Sequence, residues 1–247
     1  MLRGFWKLSW LEAKIFAREP MGLAGSIVIP TILFVIFGRA WGVPNPALPS
    51  GNAPPFNVAV LGAVVIAFNA VQSLVAIMAI YREGGILKRL RSTPLSPVTI
   101  LGSHVVVKLA FTVISLSLMV LAGRRLFPGA AQPGFVSFTA ALLLSTSSIL
   151  SLGFVIASLV PTARFAQPIG AVVLYPMLAV SGLFFPVASL PAGLRAVAWV
   201  LPTTHAVALL QGVWEGAGWR GHWPDAAALV VLGAAFTALS ARVFRWE

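Results

Sequence analysis

Tyr-Arg-Glu-Gly-Gly-Ile-Leu-Lys-Arg-Leu-Arg-Ser-Thr-Pro-Leu-Ser-Pro-Val, residues 81–98, is a strongly basic segment set between two long apolar runs. The run before it, 56–80, has no charged side chain, and the run after it, 99–123, has only Lys108 and the titratable His104. Bilayer hydrocarbon accepts about 20 apolar residues as a helix and expels charge. The segment therefore reads as a cytoplasmic loop joining two membrane spans. Within it, Ile86, Leu87 and Leu90 share one helical face while Lys88, Arg89 and Arg91 point elsewhere, which predicts a short amphipathic helix over 82–93. Glu83 stands near its start, where a helix dipole favours an anion. Thr93-Pro94 should end it, because a residue before proline is pushed out of the helical region. Ser96-Pro97 then suits the cap and first turn of the next span.

The same contrast between apolar runs and basic ends extends along the whole chain. Its 247 residues are 59% hydrophobic and only 9% charged, with a mean hydropathy of +0.94. Soluble domains carry roughly 25% charged residues, so a globular cytosolic protein is excluded. Cysteine is absent, which excludes disulfides, thiolate metal sites and a thiol nucleophile. The net charge of +11 comes from basic residues at the ends of apolar runs, which speaks for topology and anionic headgroups. No nucleic-acid-binding motif is present, and nucleic acid is not an expected partner.

Six spans follow, at 22–43, 56–80, 98–123, 135–160, 168–188 and 225–242, within a single transmembrane domain over 1–247. The fold class is an all-α polytopic membrane protein. A signal peptide over 1–40 is disfavoured, because the basic leader is long and no small-residue cleavage site follows. With the N-terminus inside, eleven basic residues lie on the cytoplasmic side against five outside, as the positive-inside rule requires. Both termini are then cytoplasmic, and 44–55, with five prolines and no charge, is an exposed outer loop.

Two further segments depart from simple spans. In residues 1–20, Arg3, Lys7, Lys14 and Arg18 fall within a narrow helical arc, opposite Leu2, Phe5, Ala13 and Phe16, the profile of a helix lying in the headgroup region. Residues 181–205 are apolar but broken by Gly182, Pro186, Pro191, Gly193 and Pro202, so they cannot make one straight span. Broken backbone at membrane depth survives only when buried in protein or lining a cavity. A re-entrant pair of short helices at the outer face is expected there.

Three regions together resemble the ABC type-2 permease family, the membrane subunits of bacterial drug and polysaccharide exporters. They are the amphipathic start ending in Arg18-Glu19-Pro20, the Arg82-Glu83-Gly84-Gly85…Leu90-Arg91-Ser92-Thr93-Pro94-Leu95-Ser96 loop, and Ser181-Gly182-Leu183-Phe184-Phe185-Pro186 followed by Leu190-Pro191 and Leu201-Pro202. With the six spans, the resemblance covers essentially the whole chain. It implies a separate cytosolic ABC ATPase, a dimer of permease copies (homodimer or heterodimer), location in the bacterial inner membrane, and export driven by ATP. It further implies that the 82–93 helix docks in a groove of the ATPase, with Arg82, Glu83, Gly85, Leu87, Lys88, Arg89 and Arg91 as contact residues. Gly84-Gly85 departs from a Gly-Thr pair found in many relatives.

No G-x-x-x-x-G-K-[ST] phosphate loop is present, so ATP and Mg would be bound by the partner and no cofactor by this chain. His104, His205 and His222 are too scattered to propose a metal site, and no Ser-His-Asp arrangement stands out, so no catalytic residue is expected. His104 and Lys108, four apart on one face, are ionisable groups inside a span and hence candidates for a substrate path, although a structural or hydrated-cavity role accounts for them as well. Ser145 and Ser148 could line a polar path or simply permit close helix packing. Phe184 and Phe185 lie in the broken segment, and His205 could gate the outer mouth or hydrogen-bond broken backbone nearby. The expected cargo is a hydrophobic or amphipathic drug-like molecule or lipid. A lipid-linked polysaccharide or other glycoconjugate is the alternative, and a non-transport assembly or sensor protein is the alternative from another class.

Overall fold

The computed structural model describes residues 2–41, 57–86, 97–127, 134–160 and 162–243, and among these the regular secondary structure is helical, with no strand. Helix α1 (Leu2–Ala17) is followed by α2 (Pro20–Leu23), a π-helical turn (Ala24–Val28) and α3 (Ile29–Trp41), which together make the first span. Then come α4 (Val58–Glu83), α5 (Pro97–Leu126), α6 (Phe135–Leu159) and α7 (Ala163–Ala179). The chain ends with α8 (Ala192–Val200), α9 (Pro202–Trp214), the short α10 (Gly218–Gly221) and α11 (Trp223–Val243). Five segments are long and apolar enough to cross a bilayer: Pro20–Ala40, Val58–Glu83, Thr99–Leu126, Phe135–Leu159 and Trp223–Arg242. A sixth is reached if α8 and α9, bent 80° from one another, count as one broken span.

Local chemistry sets the helix ends. Pro20 occupies the first turn of α2, where its missing N–H costs nothing. The Asn57 side chain caps α4 by accepting from the Ala59 and Val60 amides, at 3.0 and 3.2 Å. That helix runs unbroken through Arg82 and Glu83 and stops at Gly84-Gly85, where Gly85 takes φ +66°. Arg82 and Glu83 thus belong to the last turn of a span, where the sequence reading began a separate helix at 82. Their continuity reflects the absence of any breaker before Gly84. The remainder of the expected 82–93 helix, from Leu87 onward, lies outside the described residues, as does the outer loop 44–55.

The fifth segment also differs from expectation. In place of 168–188, the helix is Ala163–Ala179, with Pro168 and Pro176 inside it. It stops early because Gly182 turns at φ +89° and Pro186 follows. Seventeen residues at ~1.5 Å each span ~25 Å, short of ~30 Å of hydrocarbon. Over 181–205 the backbone is broken as expected, by bends, a 3₁₀ turn at Val187–Ser189 and the α8–α9 corner. However, α9 continues past His205 to Trp214, and nearly all of it is buried.

Helices α4 and α6 form the centre, each with 61% of its most apolar stretch buried, against 17% for the first span and 6% for α11. Close approach depends on small residues, as helix association in lipid generally does. A Cβ on Gly153 of α6 would stand 2.9 Å from Val71 of α4, and one on Gly233 of α11 would stand 3.5 Å from the Ser148 backbone. At the π turn, the Ser115 hydroxyl of α5 donates to the Ser26 carbonyl at 2.8 Å.

Candidate functional site

Helix α1 lies along α5. It turns Ser9, Glu12 and Phe16 inward and leaves Trp6, Lys7, Trp10, Lys14 and Arg18 exposed. Glu12 and Phe16, four apart, meet His104 and Lys108, also four apart, on α5. The Tyr81 hydroxyl of α4 donates to Glu12 Oε1 at 2.8 Å, and His104 Nδ1 stands 3.4 Å from Glu12 Oε2. Lys108 donates to the Ser73 hydroxyl, and its ammonium sits 3.8 Å from the Phe16 ring centroid. Burial pushes the Glu12 carboxyl above its ordinary value, against the opposing pull of the Tyr81 hydrogen bond and the Lys108 charge.

These side chains bound a cavity of about 330 Å³. Asn69, Gln72 and Ser73 line it from α4, Gln167 and Tyr175 from α7, and Glu19, Met21 and Gly25 from the start of the first span. Gln72 lies directly over Gly170, where an added Cβ would coincide with its Oε1. His104 Nε2 and Gln72 Oε1 are buried with no hydrogen-bond partner among the described residues.

A second arrangement is built on the last turn of α4. Arg82 donates through Nη1 to the Val160 carbonyl (2.9 Å) and through Nη2 to the Ala157 carbonyl (3.0 Å), at the C-terminal end of α6. Adjacent Glu83 accepts from the Ala163 amide at 2.9 Å, the first N–H of α7. Orphan carbonyls end one helix and orphan amides begin the next, and each receives the opposite charge. The side chain of Thr162, the N-cap residue of α7, makes no capping bond, so Glu83 serves in its place. Helices α4, α6 and α7 are tied at one corner.

The far end of the bundle carries a third polar group. His205 Nδ1 is 2.8 Å from Asp225 Oδ1, and His205 Nε2 is 3.0 Å from the Trp199 carbonyl, across the α8–α9 corner. Both partners are acceptors, so the ring makes both bonds when it carries both protons. His222 Nδ1 meets the other Asp225 oxygen at 3.0 Å, and its ring occupies the space over Gly212.

The candidates read from sequence therefore separate. His104 and Lys108 line the cleft. Ser145 and Ser148 are buried in α6 on its packing face, Ser148 against Gly233, and are not among the cleft's lining. Phe184 is half-buried and Phe185 exposed beyond α7, while His205 joins the far cluster. Gly85 forms the turn after α4, and Leu87, Lys88, Arg89 and Arg91 lie outside the described residues. Sequence reasoning missed Glu12, Asn69, Gln72, Ser73 and Tyr81. For Glu12 a signal existed, since an acid on the Phe5–Phe16 face of an amphipathic helix is misplaced unless something polar awaits it.

A helical chain with five to six membrane-capable segments and ionisable side chains turned into an internal cleft is a multi-pass membrane protein. More narrowly, the chain belongs to the ABC-2 type transporter family, whose sequence model matches residues 3–213. It is similar to the "Inner membrane transport permease YhhJ" of Escherichia coli (strain K12), with 28% identity over 169 residues, 66% of this chain and 44% of that protein. The protein of the same description from Shigella flexneri gives the same figures. The chain spans under half the length of the curated relatives it matches.

Proposed function

We propose that this chain is the permease subunit of an ATP-driven exporter in a bacterial inner membrane. It works beside a separate cytosolic ATPase and a second permease copy, and moves an amphipathic drug-like or lipid substrate outward. The family match over 3–213 carries this reading, and this sequence holds no phosphate loop, in keeping with it. In this scheme both termini and residues 81–97 face the cytoplasm, α1 lies in the headgroup region, and the 181–205 segment is re-entrant at the outer face. Closure of the ATPase pushes on 82–93. The last turn of α4, bonded to the end of α6 and the start of α7, carries that push into three helices at once. No side chain of this subunit takes part in hydrolysis.

The test is co-purification of the chain with a cytosolic ABC ATPase from the same cells, followed by reconstitution. Hydrolysis stimulated by amphipathic substrates, together with their ATP-dependent movement in proteoliposomes, is the expected outcome. A chain that recruits no ATPase and moves nothing under ATP overturns the reading.

A further inference from the structure

The cleft beside α1 is chemically one-sided. Its lining supplies two carboxylates, Glu12 and Glu19, against one ammonium, Lys108, which is already engaged by the Ser73 hydroxyl and the Phe16 ring. His104, 2% exposed, has Nδ1 3.4 Å from Glu12 Oε2, and its Nε2 is buried with no hydrogen-bond partner among the described residues. Gln72 lines the cleft as well, with its Oε1 buried over Gly170. One of the two N–H groups of the Asn69 amide bonds the Val65 carbonyl, and Asn69 also lines the cleft. A cavity whose charged lining is two carboxylates against one ammonium favours a cationic ligand.

We propose that this cleft binds the ammonium head of an amphiphile, held by Glu12, Glu19, Asn69, Gln72 and His104, with its hydrocarbon on the apolar rim. The rim has the right character. Ile15, Met21, Ile80 and Tyr175 line the cavity and are between 45% and 82% exposed, so the polar floor opens beside an apolar outer surface. A cavity of about 330 Å³ has room for an ammonium with its neighbouring atoms and is too small for a large glycan. An anionic head would face two carboxylates, so charge selects the cation. The ammonium of a membrane phospholipid such as phosphatidylethanolamine and that of a drug-like amine share this chemistry. The idea that the ligand is cargo rests on the transport reading; binding itself does not.

The test uses the full chain in phosphatidylcholine nanodiscs, with radiolabelled dodecylamine as the probe, dodecyl phosphate as the anionic control, and empty nanodiscs as background. Saturable dodecylamine binding is expected, at least tenfold tighter than that of dodecyl phosphate. Glu12→Gln should weaken it at least tenfold. Because Glu12 is buried, Glu19→Gln, at an exposed residue that leaves folding intact, is the second variant and should weaken it at least threefold. Equal affinity for the two probes, or parental dodecylamine affinity in Glu19→Gln and Gln72→Leu, overturns the proposal. Repeating the titration in phosphatidylethanolamine nanodiscs assigns the source. An affinity that falls there makes the lipid headgroup a competing occupant, an unchanged one leaves soluble amines, and both keep the site. Binding needs no ATPase, so lost export with intact binding refutes the transport reading alone, and lost binding with intact export refutes this site alone.

Discussion

Replacing Arg82 by methionine keeps the apolar stem and removes the two guanidinium bonds to the Ala157 and Val160 carbonyls. Hydrogen bonds from a charged donor contribute about 1.5–3 kcal/mol each when buried. Arg82 is half-buried, so water can replace part of each bond, and the low end of the range discounted by a third gives about 2 kcal/mol for the pair. For a chain of this size that corresponds to a fall of about 4–8 °C in melting temperature. Glu83→Gln on its own should cost about half a kcal/mol, because the carboxylate is exposed and only its charge is lost. Since both side chains hold the same 157–163 corner, the double variant should lose less than the sum, by up to about 0.5 kcal/mol. Thermal unfolding of the four proteins in one detergent, followed by tryptophan fluorescence, measures all these terms. A change of less than 1 °C in Arg82→Met, or strict additivity in the double variant, would show that the corner is not held as described.

Glu12 makes a pH prediction whose sign is fixed by burial. Its folded carboxyl lies above the ordinary carboxylate value, so its contribution is fully present below that value and is lost as pH rises through the folded one. The stability of Glu12→Gln relative to the parent should therefore increase from about pH 4.5 upward, and a constant offset across a pH series of melting curves would contradict this. Gly153→Ala pushes a methyl toward Val71 in the packed centre and should destabilise by about 1–3 kcal/mol, read as reduced thermal stability with membrane insertion unchanged. Topology can be tested in this cysteine-free chain with single cysteines at Ser50 and Ser92. An impermeant maleimide applied to intact cells should label position 50 and leave position 92 untouched.

What could be read from sequence was what local chemistry decides. The apolar runs, the Pro20 start and the breaks after Ser181 all appear in the helices, because each depends on neighbours in the chain. The cleft was half legible. Two ionisable groups four apart in an apolar span marked His104 and Lys108, but their partners Glu12, Phe16 and Ser73 come from other helices, at separations no periodicity encodes. The corner at Arg82 and Glu83 was noticed as charge and misread as local structure. An anion near a presumed helix start looked like a cap for its own helix, whereas Glu83 ends α4 and caps α7, 80 residues away. For the same reason α7 begins five residues before Pro168, because a carboxylate supplied from another helix meets the first amide. The burial of α9 rests on tertiary packing, and its 206–214 run was too short to be separated from the broken stretch before it.

The π-helical turn at Ala24–Val28 has a consequence for the gene as well as for the fold. A single π turn holds one residue more than the α turn it replaces, while the helix on either side keeps its facing. Loss of one codon there would restore regular winding and leave Pro20–Leu23 and Ile29–Trp41 presenting the same side chains to the same neighbours. The same loss anywhere in α4 would rotate every following residue by ~100° and turn its buried face outward. This stretch is thus a site of length tolerance in an otherwise phase-locked span, and what a shortened lineage would forfeit there is the bond from Ser115 to the Ser26 carbonyl.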